Sequence, residues 1–141
     1  MKRTGTAHWE GAIKEGKGTL TTPSGVLNKT AYSFSARFEN GQGTNPEELL
    51  GAAHAGCFSM ALSGQLTTAK LVPKTIDTTA TVELDKDGDG FAIKRVHLDV
   101  TCEIPGADQD AFLKAANAAK AGCPVSKLFK GAEITMEARL R

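Results

Sequence analysis

The residues of this chain best able to do chemistry are three cysteines, Cys57, Cys102 and Cys123, standing far apart in sequence. A cysteine can fill a core, ligate a metal, attack a carbonyl, or attack a peroxide or disulfide. These spacings form neither a CxxC pair nor a zinc knuckle. Only His8, His54 and His97 could complete a metal site or act as a base. His54 stands three residues before Cys57 and would share its face of a helix. Zinc held by that pair with Cys123 has no supporting spacing, and papain-like chemistry would need His54 to act as a base on the thiol. Ordinary packing is the simpler reading of His54, and solvent exposure that of His97. Peroxide reduction asks for less: a thiolate, a cation or donor that lowers its pKa, and a second thiol to resolve the sulfenic acid. Cys57, Arg37 and Cys123 could meet that list, with Glu47 or Glu48 orienting the arginine through a bidentate pair. On the residues alone the alternatives stay open, including a structural or small-ligand-binding dimer with an inert, buried Cys57.

Helix signals dominate the stretch that must carry Cys57. Thr44 and Asn45 can cap it, Pro46 suits its first position, and Glu48 stands as a capping-box partner. Leu50, Ala53, Cys57, Met60 and Ala61 recur at helical steps, predicting an apolar stripe through residue 68. Gly51, Gly56 and Gly64 each lower helix preference by about 1 kcal/mol relative to Ala, which makes sense if the helix packs backbone-close. Upstream, residues 6–13 and 16–22 flank a turn at Lys14 and Glu15 and predict a hairpin, with Trp9 as a core or interface anchor. Residues 31–38 alternate as a strand: Tyr32, Phe34, Ala36 and Phe38 fall on one face and Arg37 on the other. A solvated surface arginine is its simplest reading.

Downstream, residues 76–84 and 91–102 predict two paired strands. Their apolar phase slips near Lys94 and Arg95, as a bulge would require. Cys102 is in phase with Val96, Leu98 and Val100 and reads as core. The turn at 86–90 lacks the distal glutamate of a calcium loop. Asp108 or Asp110 can cap a helix to about residue 120, and Gly122 stops it. Pro124 then opens a short helix with Cys123 at its N-terminus, where unpaired backbone N–H groups favour a thiolate. Ile134, Met136, Ala138 and Leu140 alternate in a last strand. Strands and helices do not alternate one for one, so the expected class is α+β, with mostly antiparallel sheet packed against helices.

A length of 141 residues suits a single domain spanning 1–141, with about 1–6 as a loose tail. Lys and Arg number 17 against 16 acidic residues, leaving no basic surplus for nucleic acid. No apolar run follows Lys2 and Arg3, and no stretch approaches a membrane span, so neither secretion nor membrane insertion is expected. With free thiols in addition, a cytoplasmic location is expected.

Several segments carry a family resemblance: RFE at 37–39, TNPEELLGAAHAGCFSMALS at 44–63, DTTATVELDKDGDGFAI at 77–93 and KAGCPVSK at 120–127. Together with the N-terminal HWEG and GVLN segments, they resemble the OsmC subfamily of the OsmC/Ohr family from about residue 7 to the C-terminus. The resemblance implies an OsmC-like fold and a thiol-dependent peroxidase of organic hydroperoxides, associated with osmotic and oxidative stress. It implies an intertwined homodimer with two active sites at the subunit interface, no metal and no cofactor. Cys57 would be the peroxidatic cysteine, Cys123 the resolving one, and Arg37 with Glu47 the pair that activates and orients the first. An external dithiol would restore both thiols. Cys102 lies outside the family pattern.

Substrate preference would come from apolar residues near the mouth, with Phe58, Met60 and Leu62 as candidates. Glu47 and Cys57 are ten residues apart, which is about 15 Å along one straight helix. Either that helix starts late or kinks at Gly51, or Arg37 and Glu47 reach the partner's Cys57. The second is the expectation.

Overall fold

A hairpin opens the chain, as its alternation and turn residues predict. β1 (Thr6–Glu10) pairs antiparallel with β2 (Lys17–Thr21), and β2 pairs with β3 (Thr30–Tyr32). Gly18 leaves open the space over which Trp9 and Tyr32 stack, with ring centroids 5.4 Å apart. A side chain at that position would meet both rings. The computed structural model describes all residues, 1–141, and their contacts divide into two compact units, 1–49 and 50–141. Residues before Thr6 carry no regular structure.

The expected strand over 31–38 ends early. Ser33 turns the chain by accepting the Ala36 N–H at 3.1 Å through its hydroxyl, and α1 (Phe34–Phe38) follows. Phe34 and Phe38, one helical turn apart, lie 4.8 Å between ring centroids. A serine N-cap and an i,i+4 aromatic pair therefore prevail over the two-residue alternation. Arg37 lies in the last turn of a helix, not on a strand.

α2 (Pro46–Thr68) begins where the capping residues predict. Asn45 Oδ1 accepts the Glu48 N–H at 2.9 Å, and the Glu48 carboxylate accepts from the Thr44 hydroxyl. The helix does not break at Gly51. That glycine faces β4 so closely that an added Cβ would stand 2.9 Å from the Ala80 carbonyl oxygen. The buried stripe is Gly51, His54, Phe58, Leu62 and Leu66, one step round from the expected Leu50, Ala53, Cys57, Met60 and Ala61. Gly51 must meet the sheet, and that contact rotates His54 inward. Ala53 and Met60 are exposed instead.

β4 (Thr75–Asp87) and β5 (Gly90–Glu103) form a long antiparallel pair. Its register shifts where Glu83 faces Arg95 and Leu84 faces Ile93, leaving Lys94 as the bulge that the phase slip predicts. β6 (Glu133–Leu140) pairs with β5 in parallel. Three of the four strand pairings are antiparallel, as expected, and this parallel one makes the second sheet mixed. The path through α3 (Gln109–Gly122) and α4 (Pro124–Leu128) returns the chain so that β6 runs with β5. Phe58, Leu62 and Leu66 of α2 share a core with Leu98, Val100 and Cys102 of β5 and Phe112 and Ala116 of α3.

Candidate functional site

Each cysteine is placed by a local rule. Cys57 lies half-buried in the middle of α2. Cys123 follows the last residue of α3 and precedes Pro124, whose ring disfavours a helical conformation for it. With φ −55° and ψ 127°, Cys123 ends one helix and caps the next. These elements bring the two sulfurs into hydrogen-bond contact, 2.7 Å apart. Cys102 is fully buried in β5, as expected, and burial pushes its thiol up to about 11.

The donors around the pair are unevenly shared. Burial raises the Cys57 thiol and its contact with Cys123 raises it further, while the Val125 N–H pulls it down. For Cys123 burial is also the largest influence, but donors outweigh it: Cys57, the Ser126 N–H, the Ser126 hydroxyl and the Val125 N–H. The net direction is upward for Cys57 and downward for Cys123. The two thiols titrate as a pair, and the donors at the start of α4 favour charge on Cys123 over charge on Cys57.

Ser126 and His54 complete this cluster. Ser126 is 6% exposed and His54 fully buried, with His54 Nε2 2.8 Å from Ser126 Oγ. The Phe129 ring meets the imidazole edge-on at 5.2 Å. His54 Nδ1 is buried without a partner. Neither imidazole nitrogen hydrogen-bonds to a sulfur, which removes the His54–Cys57 base pair that papain-like chemistry would need. The packing reading of His54 holds for its burial and misses Ser126. Its signal in sequence was a polar side chain one step from the expected stripe.

The other expected pair forms in the first unit. Arg37 Nε donates to both Glu47 carboxylate oxygens at 3.2 Å, and its terminal nitrogen donates to Oε1 at 2.7 Å. Arg37 comes from the last turn of α1 and Glu47 from the first turn of α2. Glu48 is engaged by Thr44, so Glu47 is the carboxylate that takes the guanidinium. Arg37 borders a cavity of about 270 Å³ that Trp9, Tyr32, Phe34, Phe38 and Pro46 also line. Sequence reasoning looked for apolar lining on α2 instead. Phe58 and Leu62 are fully buried core residues, and only Met60 of those three is exposed, at 79%. The available signal was aromatic crowding ahead of residue 39, where Trp9, Tyr32, Phe34 and Phe38 all lie.

His97, expected to face solvent, is half-buried with Nδ1 2.7 Å from Thr135 Oγ1. It brings a ligand atom within 4.8 Å of those of Asp99 and Glu137. Arg139 already pairs with both carboxylates, at 2.7 and 2.8 Å.

The family described as OsmC-like protein matches residues 39–138. The chain belongs to that family. It is 55% identical to the Peroxiredoxin OsmC of Escherichia coli (strain K12) over 141 residues, covering all of this chain and 98% of that one. It is 28% identical over 115 residues to the organic hydroperoxide resistance protein OhrB of Bacillus subtilis, covering 81% and 82% of the two chains. The crystal structure of that OhrB superposes with a TM-score of 0.70 at 26% identity, covering 96% of this chain and 97% of the other. An α+β architecture with a mixed sheet and central helices is thus common to this chain and its structural relatives.

Proposed function

We propose that this protein is a thiol-dependent peroxidase that reduces organic hydroperoxides to alcohols by a two-cysteine mechanism. The observation that carries the reading is the contact between Cys57 and Cys123, joined across 66 residues of sequence at 2.7 Å. Two thiols so placed can pass to a disulfide with little backbone movement. The 55% identity to a peroxiredoxin along the whole chain supports the same chemistry.

The steps balance as follows. Arg37, braced by Glu47, stabilises negative charge on Cys57, countering the preference of the pair for charge on Cys123. The Cys57 thiolate attacks the distal peroxide oxygen, and the oxygen–oxygen bond breaks. The Cys123 thiol, which donates to Cys57 in the structure, gives its proton to the alkoxide, and the alcohol leaves. Cys57 is now a sulfenic acid and Cys123 a thiolate. Cys123 attacks the Cys57 sulfur, the sulfur–oxygen bond breaks, and hydroxide leaves and takes a proton from solvent. An external dithiol reduces the disulfide and is itself oxidised.

Arg37 and Glu47 act on Cys57 of the partner subunit. Support comes from α2, which continues from Pro46 past Gly51 to Thr68, so ten residues separate Glu47 from Cys57 by about 15 Å of helix. An intertwined homodimer would bring the partner's pair into place. The outer face of α2 also favours a dimer: Gly56 and Gly64 have no neighbouring atom within 4 Å of an added Cβ, and Met60 is 79% exposed. The aromatic cavity beside Arg37 favours organic over hydrogen peroxide as substrate. Three free cysteines favour the cytoplasm, and no helix is long and apolar enough to cross a membrane.

The test is turnover with dithiothreitol as reductant. Cumene hydroperoxide is expected to be consumed faster than hydrogen peroxide, and Cys57→Ser to abolish the activity. Arg37→Ala should lower kcat/KM about a hundredfold, the scale of losing one charge-stabilising donor in an active site. Full activity in Cys57→Ser would overturn the reading.

A further inference from the structure

Only one sulfur of the pair is open to a small molecule. Cys57 is half-buried, whereas Cys123 is fully buried in the core that α2, β5 and α3 share. A second chain can only cover more surface, so Cys123 stays closed in any assembly that keeps this fold. Its backbone is tied on both sides. Its N–H donates to the Ala119 carbonyl at 2.9 Å, and its own carbonyl accepts the Lys127 N–H at 3.0 Å. Swinging Cys123 outward would break the last bond of α3 and the first of α4 together. Oxidation asks for no such swing: the sulfurs already touch at 2.7 Å, so their bond can close with Cys123 still in the core. The remaining thiol, Cys102, is fully buried in β5 and offers no relay to the surface.

We propose that the external dithiol attacks the Cys57 sulfur of the Cys57–Cys123 disulfide, through the opening that admits the hydroperoxide, with Cys123 as the leaving group. The inference rests on the two-cysteine reading for its place in the cycle, while the choice of sulfur can be measured without it. A thiolate of the reductant bonds to Cys57 Sγ, and the bond between the two protein sulfurs breaks. Cys123 leaves with the electron pair and takes up a proton. The reductant is now held to Cys57 as a mixed disulfide. Its second thiol loses a proton to solvent and attacks the reductant's sulfur in that bond. Cys57 leaves as the thiolate that begins the next cycle, and the reductant departs oxidised, as a cyclic disulfide. Exchange is faster when the departing thiol is the more acidic one. The pair favours charge on Cys123 over charge on Cys57, so access and leaving-group chemistry select the same sulfur. One opening then serves both substrates in turn, and each can obstruct the other.

The first measurement needs no peroxide. Reduced protein is oxidised with diamide to the Cys57–Cys123 disulfide, treated briefly with β-mercaptoethanol, quenched in acid and mapped by mass spectrometry. A monothiol stops at the mixed disulfide, which should lie on Cys57 with Cys123 free. An adduct on Cys123 would overturn the inference whether or not the protein is a peroxidase. The second measures access with dithiodipyridine, a neutral disulfide reagent. Cys57 in Cys123→Ser should react at least about tenfold faster than Cys123 in Cys57→Ser, because a buried thiol reacts only during local opening. Unfolding both variants in urea should remove the difference. Charge alone would give the opposite order, so equal native rates, or a faster Cys123, would also overturn the inference. The third uses steady-state turnover of the parent protein. Excess cumene hydroperoxide should inhibit, and added dithiothreitol should relieve the inhibition. Inhibition that dithiothreitol does not relieve would contradict a shared opening. Absence of turnover with any hydroperoxide would refute the peroxidase reading, and the mapping would still decide which sulfur is attacked.

Discussion

His54 is neutral where it lies, because burial holds its pKa below the ordinary 6.5. The unfolded chain therefore binds a proton on this ring at pH values where the folded chain does not. Stability is full above about 6.5 and falls as the pH drops from there towards the folded pKa. Urea midpoints measured from neutral to mildly acid pH should decline over that window, and His54→Gln should flatten the decline. A decline of the same size in His54→Gln would place its origin elsewhere. Sequence was a good guide where a residue's environment follows from its neighbours in the chain. Cys102 reads as core because three aliphatic residues share its phase. Cys123 reads as a helix cap because Pro124 follows it. The partner of His54 could not be read, since Ser126 lies on another element 72 residues away.

At the scale of elements, α1 decides where Arg37 stands. Ser33→Ala removes the side-chain acceptor for the Ala36 N–H, a loss of about 1 kcal/mol for an N-cap. The proposed role of Arg37 makes this visible in catalysis: kcat/KM should fall, by at most about fivefold, the equivalent of that energy, and be restored by Ser33→Thr. Unchanged kinetics in Ser33→Ala would mean that α1 does not position Arg37 for the reaction. The caps of α2 and the bulge at Lys94 were legible because each is written within a few residues. The buried stripe of α2 was misread by one step, because Gly51 faces the Ala80 carbonyl and a glycine carries no hydrophobic signal. The parallel direction of β6 was not legible either. It depends on how α3 and α4 turn the chain in space, and alternation is the same for a strand running either way.

At the scale of the whole molecule, the proposal requires two chains for one site. Diluting the protein should lower specific activity as the dimer dissociates, with a midpoint that tracks the oligomeric state measured at the same concentrations. A fully active monomer would contradict the shared site. Exposed apolar side chains at Ile13, Val26, Met60, Val72 and Leu128 are consistent with surfaces that a second copy covers. The central claim is the two-cysteine cycle, and the most direct measurement of it is chemical. Fully reduced protein is treated with one equivalent of cumene hydroperoxide and quenched, and its cysteines are mapped by mass spectrometry. The account predicts a Cys57–Cys123 disulfide formed faster than with hydrogen peroxide, with Cys102 still a free thiol. Survival of all three thiols, or a disulfide that includes Cys102, would contradict it.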